Sequence, residues 1–134
     1  MSEQNVEVIR RLFRNLEARE FGANRELFAS EVVYSRTGMG MPGIDGEWRG
    51  VEEMRSAVVM YLDVWENYRY RAERFVDLGD RVFVLETHVA QGKQSGVETA
   101  HEVGNVFTLR DGLITRWMQF WNPDEALEAA GITE

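Results

Sequence analysis

The second half of the chain constrains the fold most. From Asn67 to Trp121, alternating apolar and polar runs are broken by short turns, the pattern of strands with one buried face. Four strands are expected, over residues 67–78, 81–91, 98–109 and 113–121. Gly79-Asp80 and Arg110-Asp111-Gly112 are tight turns, the second of the Asp-Gly hairpin type. In the first run Tyr68, Tyr70 and Ala72 alternate, and the phase then changes through Phe75, Val76 and Leu78, as a bulge or strong bend requires.

The segment Gly92 to Val97 reverses the chain between the middle runs. Folding them antiparallel about it sets His88 opposite His101, the chain's two histidines. Directly opposed side chains lie ~4.5–5.5 Å apart at Cβ. Glu86 shares the face of His88, because side chains alternate along a strand. Two imidazoles beside a carboxylate are the constellation here that looks most like chemistry, and His88, His101 and Glu86 are the candidate catalytic residues. Charged imidazoles this close repel by roughly 3 kcal/mol at an effective dielectric of ~20, so the two would share one charge. One neutral and one charged ring could then work as general base and general acid. Two alternatives stay open. The histidines can be hydrogen-bonded to Glu86 and water in a partly polar cavity, or the three side chains can form a two-histidine, one-carboxylate metal site.

The first half reads as helical. Val6, Ile9, Leu12, Phe13 and Leu16 form one apolar stripe on a helix over about residues 3–20. A short helix at residues 25–29 and a strand at residues 31–37 follow. A glycine-rich loop then runs from Thr37 to Gly50, carrying Met39, Met41 and Trp48; loops of this length are usually functional or mobile. A second helix is expected over residues 51–66, with Trp65 on its apolar stripe. Asn122-Pro123 opens a last helix that Gly131 ends. Helices first and a bent antiparallel sheet after them make the chain α+β.

At 134 residues the chain is expected to be one domain, spanning residues 1–134. A net charge of -8 disfavours nucleic acid as a partner. No run approaches the ~20 apolar residues of a membrane span and no signal peptide is visible, so no membrane partner and a cytoplasmic location are expected. The chain has no cysteine, which excludes disulfides, thiolate metal sites and cysteine nucleophiles. No resident metal or cofactor is expected.

Four stretches in this order, FASEVVY, WRGVEEMRSAV, VFTLRDGLITR and EALEAAGI, resemble the nuclear transport factor 2-like superfamily, and more narrowly its SnoaL-like branch. The likeness covers nearly the whole chain. It implies a cone-like α+β barrel, with N-terminal helices packed on the concave face of a strongly bent antiparallel sheet and a pocket between them. Ketosteroid isomerases of this fold use an aspartate base and an oxyanion hole of tyrosine and protonated aspartic acid. Carried over, the base position falls on Arg36, the tyrosine position near Asn15 and the carboxylic acid position on Asn105. Arg36 cannot act as a base at neutral pH, so ketosteroid isomerase activity is not expected. The Asp-Arg-Asp arrangement of epoxide hydrolases on this fold is absent too.

The resemblance turns Asn105 into the pocket, and alternation then brings His101, Val103 and Phe107 with it. Tyr34, Arg36, Asn105, Trp117, Gln119, Trp121 and Asn15 are the expected ligand-binding residues. Such an aromatic cup with a few polar groups suits a small apolar or aromatic carbonyl compound. The expected function is acid–base conversion of isomerase, cyclase or dehydratase type. The alternative is a non-catalytic ligand-binding or protein-interaction module of the same fold. The opposite sheet face carries Phe83, Leu85, Val89, Val106, Met118 and Phe120, too apolar to leave in water. A homodimer through that open face is expected.

Overall fold

A computed structural model describes residues 2–18, 20–40, 44–93 and 95–132. Helix α1 spans Ser2–Glu17 and a 3-10 helix Phe21–Leu27. Strand β1 (Phe28–Thr37), strand β2 (Gly46–Arg49) and helix α2 (Val51–Leu62) follow. Strands β3 (Trp65–Asp77), β4 (Arg81–Gly92), β5 (Glu98–Arg110) and β6 (Leu113–Phe120) lead to helix α3 (Pro123–Ala130). The strands form one sheet in the order β2-β1-β6-β5-β4-β3. It curls around α1 and α2 without closing, and β2 and β3 remain as edges. Among the described residues, no helix is long and apolar enough to cross a membrane.

The meander follows its sequence pattern. β3 slips register against β4 between Glu66 and Arg69 and again between Ala72 and Arg74. The second slip is the phase change seen before Phe75, and it bends the strand over α1. Asp111 and Gly112 both have positive φ, 53° and 80°, the left-handed pair that a two-residue hairpin needs to match strand twist. The β4–β5 pairing runs without a shift and sets His88 opposite His101.

Three expectations need correction. The sheet is mixed, because β1 pairs with β6 in parallel. No hairpin joins β1, which ends at Thr37, to β6, which begins at Leu113, so local pattern does not decide their relative direction. The glycine-rich loop contains β2, antiparallel to β1 and putting Trp48 beside Tyr34; four residues are too few to show a strand period. Met41 lies outside the described residues. Helix α2 stops at Leu62 and Trp65 opens β3. Trp65 fits the helical stripe by spacing, but Val64, Trp65, Tyr68 and Tyr70 are residues that favour a pleated surface.

The main core lies between α1, α2 and the concave face. Ile9, Leu12, Phe13 and Leu16 are buried, with Phe13 meeting Phe75 and Phe107 edge-on at 6.0 Å. The convex face has its own cover. Helix α3, capped by Asn122 Oδ1 accepting from Asp124 N at 2.9 Å and closed by Gly131 at φ 77°, lays Ala126 and Ala130 over Phe83 and Val106. Leu85, Met118 and Phe120 pack against this cluster. Much of the apolar face expected to seat a second copy is therefore covered by the chain's own last helix. Gly104 permits the approach: a Cβ there would collide with Ala126 Cβ and stand 3.1 Å from Pro123 Cα.

Candidate functional site

Alternation turns Glu86 and His88 of β4, Asn105 of β5, Trp117 and Gln119 of β6, and Tyr34 and Arg36 of β1 into the concave side of the sheet. All seven are buried. Glu86 is the hub, at 1% exposure. Its Oε1 accepts from Asn105 Nδ2 at 2.8 Å and Gln119 Nε2 at 3.2 Å. Asn105 Oδ1 accepts from Trp117 Nε1 at 2.9 Å and Gln119 Nε2 at 3.3 Å. The Tyr34 hydroxyl donates to Gln119 Oε1 at 3.0 Å. Arg36 Nη1 reaches that hydroxyl at 3.3 Å, which extends the chain of polar contacts across four strands.

His88, at 4% exposure, continues the chain on the other side. Its Nε2 stands 3.1 Å from Glu86 Oε1, within ion-pair distance but without hydrogen-bond alignment. His88 Nε2 and Glu86 Oε2 are both buried without a hydrogen-bond partner. At Nδ1 the ring meets the hydroxyls of Tyr61, at 3.2 Å, and Tyr68. Tyr68 donates to Tyr61 at 3.0 Å. A phenol donating to Nδ1 leaves the proton of a neutral imidazole on Nε2, on the Glu86 side. Burial pushes three of the cup's phenols up: Tyr34 to about 12, against the opposing pull of Arg36, Tyr61 further and Tyr68 well above the ordinary phenol value. They stay protonated donors throughout the physiological range.

Arg36 is 3% exposed. Its Nε donates to Ile44 O at 2.6 Å and its Nη2 to Ala57 O at 3.0 Å. The rings of Tyr34, Trp48 and Tyr61 lie 5.5, 5.0 and 4.8 Å from its guanidinium carbon, a range in which π faces stabilise a cation. It does not pair with Glu86.

The sequence-derived site thus assembles, with two exceptions. His101 stands opposite His88 in register, yet its ring stacks on Trp121 with centroids 3.8 Å apart and planes 10° off parallel. Its Nε2 lies 2.8 Å from Trp121 O, so the ring is held at the rim. Asn15 is not at the cup: its Nδ2 donates to Asn24 Oδ1 at 2.8 Å, fastening α1 to the 3-10 helix. Among the described residues, no three His, Asp or Glu side chains cluster as metal donors.

Tyr61, Tyr68, Tyr70 and Met39 join the site although the sequence reading assigned them elsewhere or left them without a role. Tyr61 counted as one more apolar residue on the α2 stripe. The available signal was its hydroxyl, since a buried tyrosine usually needs a partner.

The cup is nearly full. The cavity lined by Tyr34, Arg36, Val58, Tyr61, Tyr70, His88, Trp117 and Gln119 holds about 10 Å³ of free space, room for about one water. Beside it, Met39 and Trp121 close a second crevice over Arg36, Tyr61 and His88.

Known proteins share this architecture. A protein of the nuclear transport factor 2-like fold and unknown function from Burkholderia pseudomallei superposes with a TM-score of 0.81 at 17% identity, covering 93% of this chain and 95% of its own. TerC, co-crystallized with polyporic acid, gives 0.80 at 22% identity over 96% and 98%. A protein with a ketosteroid isomerase-like fold from Catenulispora acidiphila, in complex with trimethylamine, gives 0.73 at 16% identity over 95% and 94%. At these identities the likeness shows the fold alone. No curated protein sequence matches the chain. The SnoaL-like domain profile matches residues 9–117, from within α1 to within β6 and so most of the chain: the chain belongs to the SnoaL-like domain family.

Proposed function

We propose that the cup binds a small apolar or aromatic carbonyl compound and moves a proton on it. The observation that carries this reading is the pair of unpartnered atoms, His88 Nε2 and Glu86 Oε2, inside a polar network that is otherwise hydrogen-bonded. A polar group buried without a partner costs about 1–3 kcal/mol, and an apolar core would avoid that cost. Such groups concentrate where a site is built for function.

In this reading the ligand displaces the phenols from His88 Nδ1, that nitrogen accepts the proton, and Glu86 beside Nε2 balances the charge the ring gains. Tyr61, kept as a phenol by burial and released from Nδ1, turns its hydroxyl to the carbonyl oxygen. Arg36 opposes the negative charge that develops on that oxygen. His101 takes a positioning role through Trp121. The reaction class is proton abstraction beside a carbonyl, which isomerisation, cyclisation and dehydration share. Ligands in the solved structures of TerC and the Catenulispora protein support small-molecule binding by this fold.

One observation favours the alternative, a non-catalytic module: the cup is filled by its own side chains, so a ligand must displace Met39 or Trp121 to enter. A homodimer belongs to the proposal in reduced form. With α3 over Phe83 and Val106, the strip left for a second copy is Leu85, Val89, Met118 and Phe120. Sedimentation reading a monomer at micromolar concentration removes it.

Binding is tested by titrating tryptophan fluorescence with acetophenone, phenylacetone and phenylpyruvate, since Trp48, Trp117 and Trp121 surround the cup. A saturable change that Trp121→Ala alters is expected. No saturable change with any of the three contradicts the reading.

A further inference from the structure

The charge balance of the cup points to a narrower class of ligand. Arg36 is charged at every accessible pH and almost wholly buried. Its hydrogen bonds go to two backbone carbonyls and one phenol. No carboxylate stands within ion-pair distance of it among the described residues. Glu86, the other buried charge-bearing group, is committed to His88, Asn105 and Gln119. A buried cation held by dipoles and ring faces alone is an expensive arrangement unless an anion completes it.

The guanidinium also has capacity to spare. Of its five N–H groups, three are engaged, with Ile44 O, Ala57 O and Tyr34 Oη. One N–H on each Nη remains. A planar cation with a free donor on each terminal nitrogen is suited to recognise a two-oxygen anion. Arg36 borders both the small cavity and the crevice under Met39 and Trp121, and so do Tyr61 and His88. An anion on Arg36 would therefore lie beside the proton-transfer groups.

We infer that the ligand is a small organic oxyanion, a carboxylate on an aromatic or aliphatic body, with its charged oxygens seated on Arg36. The inference rests on the reading of the cup as a small-molecule site and names the class of molecule it takes. The ionised group anchors the ligand, and the carbon beside its carbonyl then faces Tyr61 and His88.

Matched pairs test this: phenylpyruvate against phenylacetone, and benzoate against benzamide, each by calorimetric titration of the whole protein. Within each pair the anion is expected to bind about tenfold tighter or more. Arg36→Lys keeps the cation but loses the fork, and the preference is expected to narrow. In Arg36→Met it is expected to vanish. The wild-type comparison stands whether or not these variants fold. Neutral partners binding as tightly as the anions, or a preference that survives Arg36→Met, overturns the inference and leaves the cup reading intact. Binding of neither member of either pair overturns both.

Discussion

His88 Nε2 and Glu86 Oε1 come within 3.1 Å of each other, both in the interior, without forming an aligned hydrogen bond. The contact joins two halves of one buried polar chain. Tyr61 and Tyr68 are on the histidine side; Asn105, Gln119, Trp117, Tyr34 and Arg36 are on the carboxylate side. Because each member satisfies the next, removing one strands its neighbours.

Glu86 is the member whose loss should matter most for stability. Glu86→Ala leaves Asn105 Nδ2 and Gln119 Nε2 without their shared acceptor and is expected to cost about 2–4 kcal/mol. Glu86→Gln keeps an acceptor oxygen and should cost about 1 kcal/mol. Urea midpoints at neutral pH measure both. Equal costs for the two variants contradict the hub role.

Gly104 should tolerate no side chain while Ala126 lies over it. Gly104→Ala overpacks the contact between β5 and α3 and is expected to destabilise by about 1–3 kcal/mol. Adding Ala126→Gly should recover part of that loss, and the double-mutant cycle reads the coupling. A neutral Gly104→Ala contradicts the seating of α3 on the convex face.

The buried phenols fix the sign of an alkaline transition. Tyr34 is raised from 10.0 to about 12, Tyr61 further, and Tyr68 well above 10.0. Above pH 10 the folded state therefore holds protons that the unfolded chain releases. The stabilisation is complete below the unfolded value and is lost as pH rises through the folded values. Denaturation midpoints should fall from about pH 10 upward, with most phenolate absorbance appearing together with unfolding. Titration of Tyr34, Tyr61 and Tyr68 in folded protein near pH 10 contradicts their burial.

The two histidines should behave differently. His101→Ala frees Trp121 and is expected to change its fluorescence and the ligand affinity, while the rate at saturation stays within about threefold. His88→Gln should lower that rate about a hundredfold or more. Equal rate losses would return His101 to the proton-transfer pair.

Residues that alternate within one hairpin were legible. The facing of His88 and His101, the Asp111-Gly112 turn and the shared face of Glu86 and His88 follow from a period of two and a short reversal, while the inward turn of Asn105 and Gln119 came from the family resemblance. What the strands recruit from elsewhere was not. Tyr61 arrives from α2, and an apolar stripe does not distinguish a tyrosine that fills space from one whose hydroxyl holds a histidine. The parallel seat of β1 on β6 depends on tertiary closure. Asn15 was placed by likeness alone, and a nearer amide, Asn24, takes its side chain. The cover over Phe83 was there to be read: Ala126, Leu127 and Ala130 recur at helical spacing, and a helix next to an apolar face can bury it.

The central claim is that the His88–Glu86 pair moves protons on a bound carbonyl compound. Its most direct measurement is solvent-deuterium incorporation beside the carbonyl of phenylpyruvate and of phenylacetone, followed by mass spectrometry. The account predicts incorporation above the buffer rate for wild type, and a return to the buffer rate in a His88→Gln variant that circular dichroism shows to be folded. A wild-type rate equal to buffer for both compounds, or a folded His88→Gln variant as fast as wild type, would contradict it.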